Sequence, residues 1–106
     1  MADLKAISAS RAAEMVRDGA VLVDIRERDE HHRERIPGAR HHALSMIDAS
    51  SPARPGDEVL IFHCGSGART KAYAAKLAAS APCAVYVLEG GIGAWKRAGL
   101  PVATGS

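Results

Sequence analysis

Three runs of consecutive apolar residues constrain the fold of this 106-residue chain more than any other feature. They occupy residues 21–25, 59–63 and 84–88, and their sequences are VLVDI, VLIFH and AVYVL. Within each run apolar residues follow one another and do not alternate with polar ones. A strand that is apolar on both faces belongs in a sheet that helices cover on each side, which is the usual place of a parallel strand. The runs therefore predict the middle of a buried parallel sheet.

Helix-forming segments lie between these runs. Ser8 or Ser10 is a suitable N-cap for a first helix, which Asp18-Gly19 would close. The alanine-rich stretch 70–80 predicts a second helix, and residues 90–99 predict a short third one. Because strands and helices alternate along the chain, the pattern predicts an α/β sandwich.

Two weaker segments complete the predicted sheet. We place residues 4–7 and 39–43 as outer strands, which gives a three-layer α/β fold with a central, mostly parallel, five-stranded sheet and helices on both faces. The stretch 51–57 is a loop by its serine, proline and glycine content. Because the pieces on either side of this loop are too short to fold alone, we expect a single domain over residues 1–106.

Composition excludes several classes of function. The formal net charge is +2 and 25% of the residues are charged, with basic and acidic residues interleaved, so we expect no surface for nucleic acid or anionic lipid. No stretch approaches the roughly 20 apolar residues of a membrane span, and the amino terminus lacks the apolar core of a signal peptide. Two cysteines are too few for a secreted disulfide scaffold. We therefore expect a cytoplasmic, monomeric protein.

The segment after the second run carries the residues best suited to chemistry. Cys64 ends an apolar strand, and the predicted helix begins five or six residues later. The backbone between them can curl so that its N–H groups point at one spot, which would stabilise a thiolate. Arg69 adds a permanent charge and a fork of donors that suits an oxyanion. Residues of the curled segment that would surround a bound substrate are Gly65, Ser66, Gly67, Ala68 and Arg69.

Simpler interpretations of the same residues remain open. Cys64 could be a small buried apolar residue beside an ordinary turn. Arg69 could hold the loop through a salt bridge and bind no substrate. For Cys83, which follows Pro82 and has no cationic neighbour in sequence, we expect only a structural role.

Four segments, in order along the chain, resemble the rhodanese family. They are the strand and its charged end VLVDIRE at 21–27, the turn IPGA at 36–39, the cysteine loop at 64–69, and the closing segments LEGGIGAW at 88–95 and GLPV at 99–102. Each segment is short, but the match extends over nearly the whole chain. One departure is visible, because Glu34-Arg35 stands where many relatives have glycine and histidine before the IPGA turn.

This resemblance implies both a fold and an activity. It implies a parallel sheet flanked by helices, with Cys64 as the residue that carries a persulfide and the loop amides from Gly65 to Arg69 around it. The implied activity is that of a sulfurtransferase, which moves a sulfane sulfur from a donor such as thiosulfate to a thiophilic acceptor such as cyanide or a thiol. This chemistry needs no metal and no organic cofactor.

Two other functions use the same residues. Cysteine-dependent phosphatases and arsenate reductases also place a thiolate, a looped backbone and an arginine around an oxyanion. They typically hold five residues between the cysteine and the arginine, whereas this chain has four, from Gly65 to Ala68, which favours a single sulfur over a phosphate. A protein-to-protein sulfur relay, or an interaction module without small-molecule turnover, stays open and would make the donor or acceptor a protein.

Several other polar residues have simpler interpretations. The pairs His31-His32 and His41-His42 are not expected to bind a metal, because adjacent side chains on a strand point in different directions. The side chain of His63 should leave its strand on the face opposite Cys64, so we expect it to pack or to face solvent. Asp24 is expected to accept backbone or arginine hydrogen bonds at its strand end.

Two further segments near the predicted site have simple interpretations. The arginines and acidic residues of 26–35 are interpreted as a solvated charged loop, and some of its arginines could attract anionic donors if the loop borders the pocket. Gly90-Gly91 is expected to let the backbone approach closely after the last strand, beside the cysteine loop.

Overall fold

A five-stranded sheet forms the centre of the molecule, a computed structural model of which describes residues 4–105. The strands of the chain are β1 (Lys5–Ile7), β2 (Val21–Asp24), β3 (Glu34–Arg35), β4 (Arg40–His41), β5 (Val59–His63), β6 (Ala84–Leu88) and β7 (Ala103–Thr104). The central sheet has the order β1-β6-β5-β2-β4, and every neighbouring pair in it is parallel. The predicted α/β fold with a five-stranded parallel sheet is confirmed.

Short helices cover both faces of this sheet. They are α1 (Ala9–Arg17), α2 (Arg28–Arg33), α3 (Ala68–Ala72), α4 (Ala74–Ala79) and α5 (Gly91–Arg97). Residues of α1 and α5 pack in one hydrophobic cluster, and Leu77 of α4 packs in another. None of the helices within residues 4–105 is long and apolar enough to cross a membrane.

The continuous apolar runs supply both faces of the sheet. Along β5, Leu60 and Phe62 belong to the cluster that includes Leu77, whereas Ile61 belongs to the cluster that includes Trp95 of α5. Side chains of successive strand residues point to opposite faces, so a strand covered on both sides needs apolar residues at every position. This requirement explains why the three runs do not alternate.

The helix predicted over 70–80 differs from the structure in two respects. It begins earlier, at Ala68, because Gly67 takes φ 98° as the N-cap and turns the chain directly into the helix. It is also divided in two, because Tyr73 lies between α3 and α4 with φ −113° and ψ 24°, outside the helical range.

The interpretation of 26–35 as a loop is wrong, although most of its charged side chains are solvated as expected. Arg28–Arg33 form α2, and the N–H of Glu27 donates to the carboxylate of Glu30 at 3.1 Å, which caps the first turn. Arg26 is only 5% exposed, because it pairs with a buried carboxylate at the end of β2. This charged segment therefore forms a helix, and its first arginine, Arg26, takes part in a buried ion pair.

A second, smaller sheet joins the residues before the turn at 36–39 to the carboxyl-terminal segment. Glu34–Arg35 pair antiparallel with Ala103–Thr104 near the carboxyl end of the chain. The guanidinium of Arg35 donates to the carbonyl of Gly105 at 2.7 Å. The residues that depart from the family pattern thus form a strand that was not predicted.

His63 is the most deeply buried of the histidines and lies opposite Asp24 in the register of the neighbouring strand. Its Nδ1 lies 3.3 Å from the carbonyl oxygen of Cys64, and within the described residues its Nε2 has no hydrogen-bond partner. Burial lowers the pKa of His63 to about 4, although the charge of Asp24 raises it in part. The side chain is therefore neutral inside the protein at pH 5 and above.

We predict that this histidine makes the protein less stable as the pH falls from about 6.5, its ordinary pKa, towards about 4. In this range the unfolded chain binds a proton on His63 that the folded chain does not. The loss should be about 2 kcal/mol between pH 7.5 and pH 5 and should disappear in His63→Phe, as measured by urea unfolding at both pH values. A variant at an exposed histidine, His32→Gln, should keep this loss of stability. If His63→Phe loses as much stability between the two pH values as the wild type, His63 is not its cause.

Candidate active site

Cys64 lies directly after the carboxyl end of β5, at the edge of the sheet where ligand sites of parallel α/β folds are found. The next residues turn back, and the N–H of Gly67 donates to Cys64 Sγ at 3.1 Å. The hydroxyl of Thr70 donates to the carbonyl of Gly67 at 3.0 Å and holds the end of the turn. Cys64 is 1% exposed, so the thiol lies inside the loop rather than above it.

The loop favours the thiolate form of this cysteine. Burial is the largest influence on the thiol and raises its pKa, but hydrogen bonds from the backbone N–H groups of Thr70, Gly67 and Arg69 outweigh it. The hydroxyl of Thr70 adds a smaller effect in the same direction, so the pKa of Cys64 lies below its ordinary value. Backbone donors, rather than the nearby arginine charge, therefore carry the activation.

Arg69 holds the loop from the side of α2. Its Nη1 and Nη2 donate to the two carboxylate oxygens of Glu30 at 2.8 Å and 2.9 Å. These hydrogen bonds lower the pKa of Glu30 to about 2, so the pair stays charged at neutral pH. Arg69 therefore forms a salt bridge, which is the alternative role that the sequence analysis left open for it.

Asp24 organises the residues below this salt bridge. The carboxylate is fully buried and accepts hydrogen bonds from the backbone and side chain of Arg26 at 2.8–3.2 Å and from His31 Nδ1 at 2.7 Å. Burial raises the pKa of Asp24, but the arginine and histidine donors together lower it to about 2. The expected role of Asp24 as an acceptor at the strand end is confirmed.

The N-terminal turn of α5 holds the loop from the other side. The N–H of Ile92 donates to the carbonyl of Cys64 at 2.9 Å, and the N–H of Gly93 donates to the carbonyl of Gly65 at 3.1 Å. A Cβ atom on Gly91 would lie 2.4 Å from the carbonyl oxygen of Cys64, so only glycine allows this approach. The close backbone contact expected at Gly90-Gly91 is confirmed.

A cavity of about 760 Å³ adjoins the loop. Its walls include Ser66, Gly67 and Ala68 of the loop, together with Glu89 and Gly90 after β6. Cys64 itself does not line the cavity, but Gly67, whose N–H donates to the thiol, does.

Sequence reasoning missed two residues of the site. Glu30 was assigned to a solvated loop, although its spacing from Glu27 is that of a helix-capping pair. Thr70 was treated only as a helix start, and nothing in the sequence pattern indicates its contact with the loop. His31 and His41 stack with ring centroids 4.6 Å apart, but residues 4–105 contain no group of three or more side chains placed to hold a metal ion.

We predict that Gly91→Ala disrupts the loop, because the added Cβ would collide with the carbonyl oxygen of Cys64. The positive φ of Gly91, 60°, also disfavours any residue other than glycine. Stability should fall by about 2 kcal/mol or more, and alkylation of Cys64 in a Cys83→Ser background should change in rate. Gly99→Ala is the matched control, because Gly99 also has positive φ but has no atom within 4 Å of the added Cβ. Equal losses in the two variants would show that backbone strain alone matters.

Comparisons with known proteins agree on the family. The sequence matches the Rhodanese-like domain over residues 8–98. Thiosulfate sulfurtransferase GlpE of Ectopseudomonas mendocina is 36% identical over 107 residues, which cover 98% of this chain and 94% of that protein.

Solved structures share the fold. A thiosulfate sulfurtransferase from Pseudomonas aeruginosa superposes with a TM-score of 0.82 at 26% identity, over 99% of this chain and 20% of that longer chain. A Rhodopseudomonas palustris protein, described as of unknown function and as a possible tyrosine phosphatase, superposes with a TM-score of 0.73 at 31% identity, over 94% of this chain and 85% of that one. The resemblance in the sequence motifs is thus confirmed, and this chain belongs to the rhodanese-like family.

Proposed function

We propose that this protein is a sulfurtransferase in which Cys64 accepts a sulfane sulfur as a persulfide and passes it to a thiophilic acceptor. The observation that carries the proposal is the hydrogen bond of 3.1 Å from the N–H of Gly67 to Cys64 Sγ, in a loop that lowers the pKa of the thiol. A thiolate stabilised by backbone donors is a nucleophile at neutral pH and needs no general base.

The proposed reaction has two displacement steps. The Cys64 thiolate attacks the outer sulfur of thiosulfate, the sulfur–sulfur bond of the donor breaks, and sulfite leaves with the bonding electrons. The acceptor, for example cyanide, then attacks the outer sulfur of the persulfide, and thiocyanate leaves as the thiolate is restored. Each intermediate on Cys64 is an anion, so the same N–H donors stabilise every state.

The loop fits one sulfur better than a phosphate group. Four residues separate Cys64 from Arg69, and the donor of Gly67 is directed at Sγ itself. A phosphatase loop needs its donors to point at phosphate oxygens beyond the sulfur, and it needs its arginine to bind them as well. Here both terminal nitrogens of Arg69 are bound to Glu30, which supports the sulfurtransferase over the phosphatase.

The immediate partners under this proposal are a small-molecule donor and a small acceptor. A protein persulfide is the second candidate donor, because the cavity beside Ser66, Gly67 and Ala68 is open to solvent and does not enclose its ligand. Both donors would load the same sulfur atom of Cys64.

Incubation with thiosulfate, followed by removal of the excess, should leave a protein that is one sulfur atom heavier by intact-protein mass spectrometry, with the added sulfur on Cys64. Cyanide should remove it as thiocyanate. Cys64→Ser should lose both results, because a hydroxyl does not ionise at neutral pH, and Cys83→Ser should keep both.

Other outcomes of this experiment discriminate among the alternatives. Sulfur uptake from a persulfidated protein but not from thiosulfate would replace the small-molecule enzyme with a sulfur relay. No uptake from either donor, together with hydrolysis of an aryl phosphate, would contradict the proposal and favour a phosphatase.

A further inference from the structure

The proposed donor creates a requirement that the loop alone does not meet. Thiosulfate is an anion, and its oxygen-bearing end must be held close to a thiolate that is itself negative. A cation with free donors is the usual solution. Arg69 is the arginine nearest in sequence to Cys64, but each of its terminal nitrogens donates to the carboxylate of Glu30, whose negative charge offsets that of the guanidinium.

A second guanidinium lies on the opposite side of the loop. Arg97, the last residue of α5, folds back over the first turn of its own helix. Its Nη2 is 3.5 Å from the position that a Cβ on Gly90 would take, and its Nη1 is 3.3 Å from the corresponding position on Gly93. The absence of side chains at these two glycines gives the guanidinium its space.

The same two glycines contact the cysteine loop. The Cβ position on Gly93 is also 3.5 Å from the carbonyl oxygen of Gly65, so Arg97 and this carbonyl lie on either side of one small gap. The backbone nitrogen of Gly90 is 3.3 Å from the Cβ position on Gly67, whose N–H donates to the thiol. Arg97 therefore borders the loop on the α5 side, as Arg69 does on the α2 side.

The two arginines differ in what their donors contact. Within residues 4–105 the guanidinium of Arg97 makes neither a hydrogen bond nor a salt bridge, and its side chain is exposed. It lines a cavity of about 420 Å³ that shares Glu89 and Gly90 with the larger cavity beside the loop. An anion can therefore reach its donors without first displacing a carboxylate.

Glu89 is the charged neighbour that opposes anion binding at this place. Its side chain is exposed and lines both cavities, but no salt bridge joins it to Arg97. Lys71 is a further cation of the larger cavity, on the wall formed by α3. Around the two cavities, the positive charges of Arg97 and Lys71 therefore outnumber the negative charge of Glu89, which weakens their attraction for an anion.

We infer that Arg97 binds the anionic end of the sulfur donor and sets the preference for anionic over neutral donors, while Arg69 holds the loop. This inference rests on the proposed sulfurtransferase function. Arg97 takes no part in the bond changes at Cys64, so its effect is confined to the step that loads the sulfur.

The test is steady-state kinetics with cyanide as acceptor and two donors, thiosulfate and a neutral organic trisulfide. The Cys64 thiolate takes the central sulfur of the trisulfide as an organic thiolate leaves, and that thiolate then attacks the outer, carbon-bound sulfur, so that an organic disulfide leaves and Cys64 keeps the same persulfide. Arg97→Ala should lower kcat/KM for thiosulfate about tenfold, the usual effect of losing a charge-assisted hydrogen bond, and should leave kcat/KM for the trisulfide within about twofold. Glu89→Gln should raise kcat/KM for thiosulfate. Lys96→Ala is the matched control, because it removes the same charge from the adjacent residue, which pairs with Glu34.

Three outcomes would overturn the inference. If wild-type protein turns over thiosulfate and Arg97→Ala is equally active, Arg97 does not recognise the donor and only this inference fails. If Arg97→Ala loses activity with both donors alike, its role is structural. If wild-type protein takes sulfur from neither of these donors and not from a persulfidated protein either, the proposed function fails as well.

Discussion

The contact between the cysteine loop and the first turn of α5 is the constraint on which the site depends. The N–H groups of Ile92 and Gly93 bind the carbonyls of Cys64 and Gly65. A peptide group is planar, with its carbonyl and its N–H pointing in opposite directions, so fixing these carbonyls also fixes the N–H groups of Gly65 and Ser66 and thereby the start of the loop. Gly91 makes the approach possible, because any Cβ would collide with the Cys64 carbonyl.

Charges on the other side of the loop complete this support. Asp24 and Arg26 form a buried ion pair at the end of β2, directly before the capping residue of α2, and Glu30 of that helix binds Arg69. Both carboxylates have a pKa of about 2, so the arrangement keeps its charge through the physiological range. The loop is thus held by backbone hydrogen bonds from α5 and by a salt bridge from α2, and its own amides remain free to face the thiol.

The sheet was predictable because helices cover both of its faces. Each central strand is therefore apolar at consecutive positions, and such a run is visible in the sequence. The cysteine loop was predictable because two glycines follow a strand and precede a helix. The partner of Arg69 in its salt bridge was not predictable, because Glu30 is distant in sequence and looked like one of many surface charges. Arg97 was not noticed for the same reason, since its position beside the loop depends on how α5 packs and not on any local pattern.

The measurement that tests the central claim most directly is the titration of Cys64, followed by thiolate absorbance in a Cys83→Ser background. If the loop amides stabilise the anion, the pKa of Cys64 lies below the ordinary value, and Thr70→Val raises it slightly by removing the hydroxyl that holds the end of the turn at the Gly67 carbonyl. If Cys64 instead titrates at or above about 8.5, burial dominates and the loop does not activate the thiol. That result would contradict the account of how this site works.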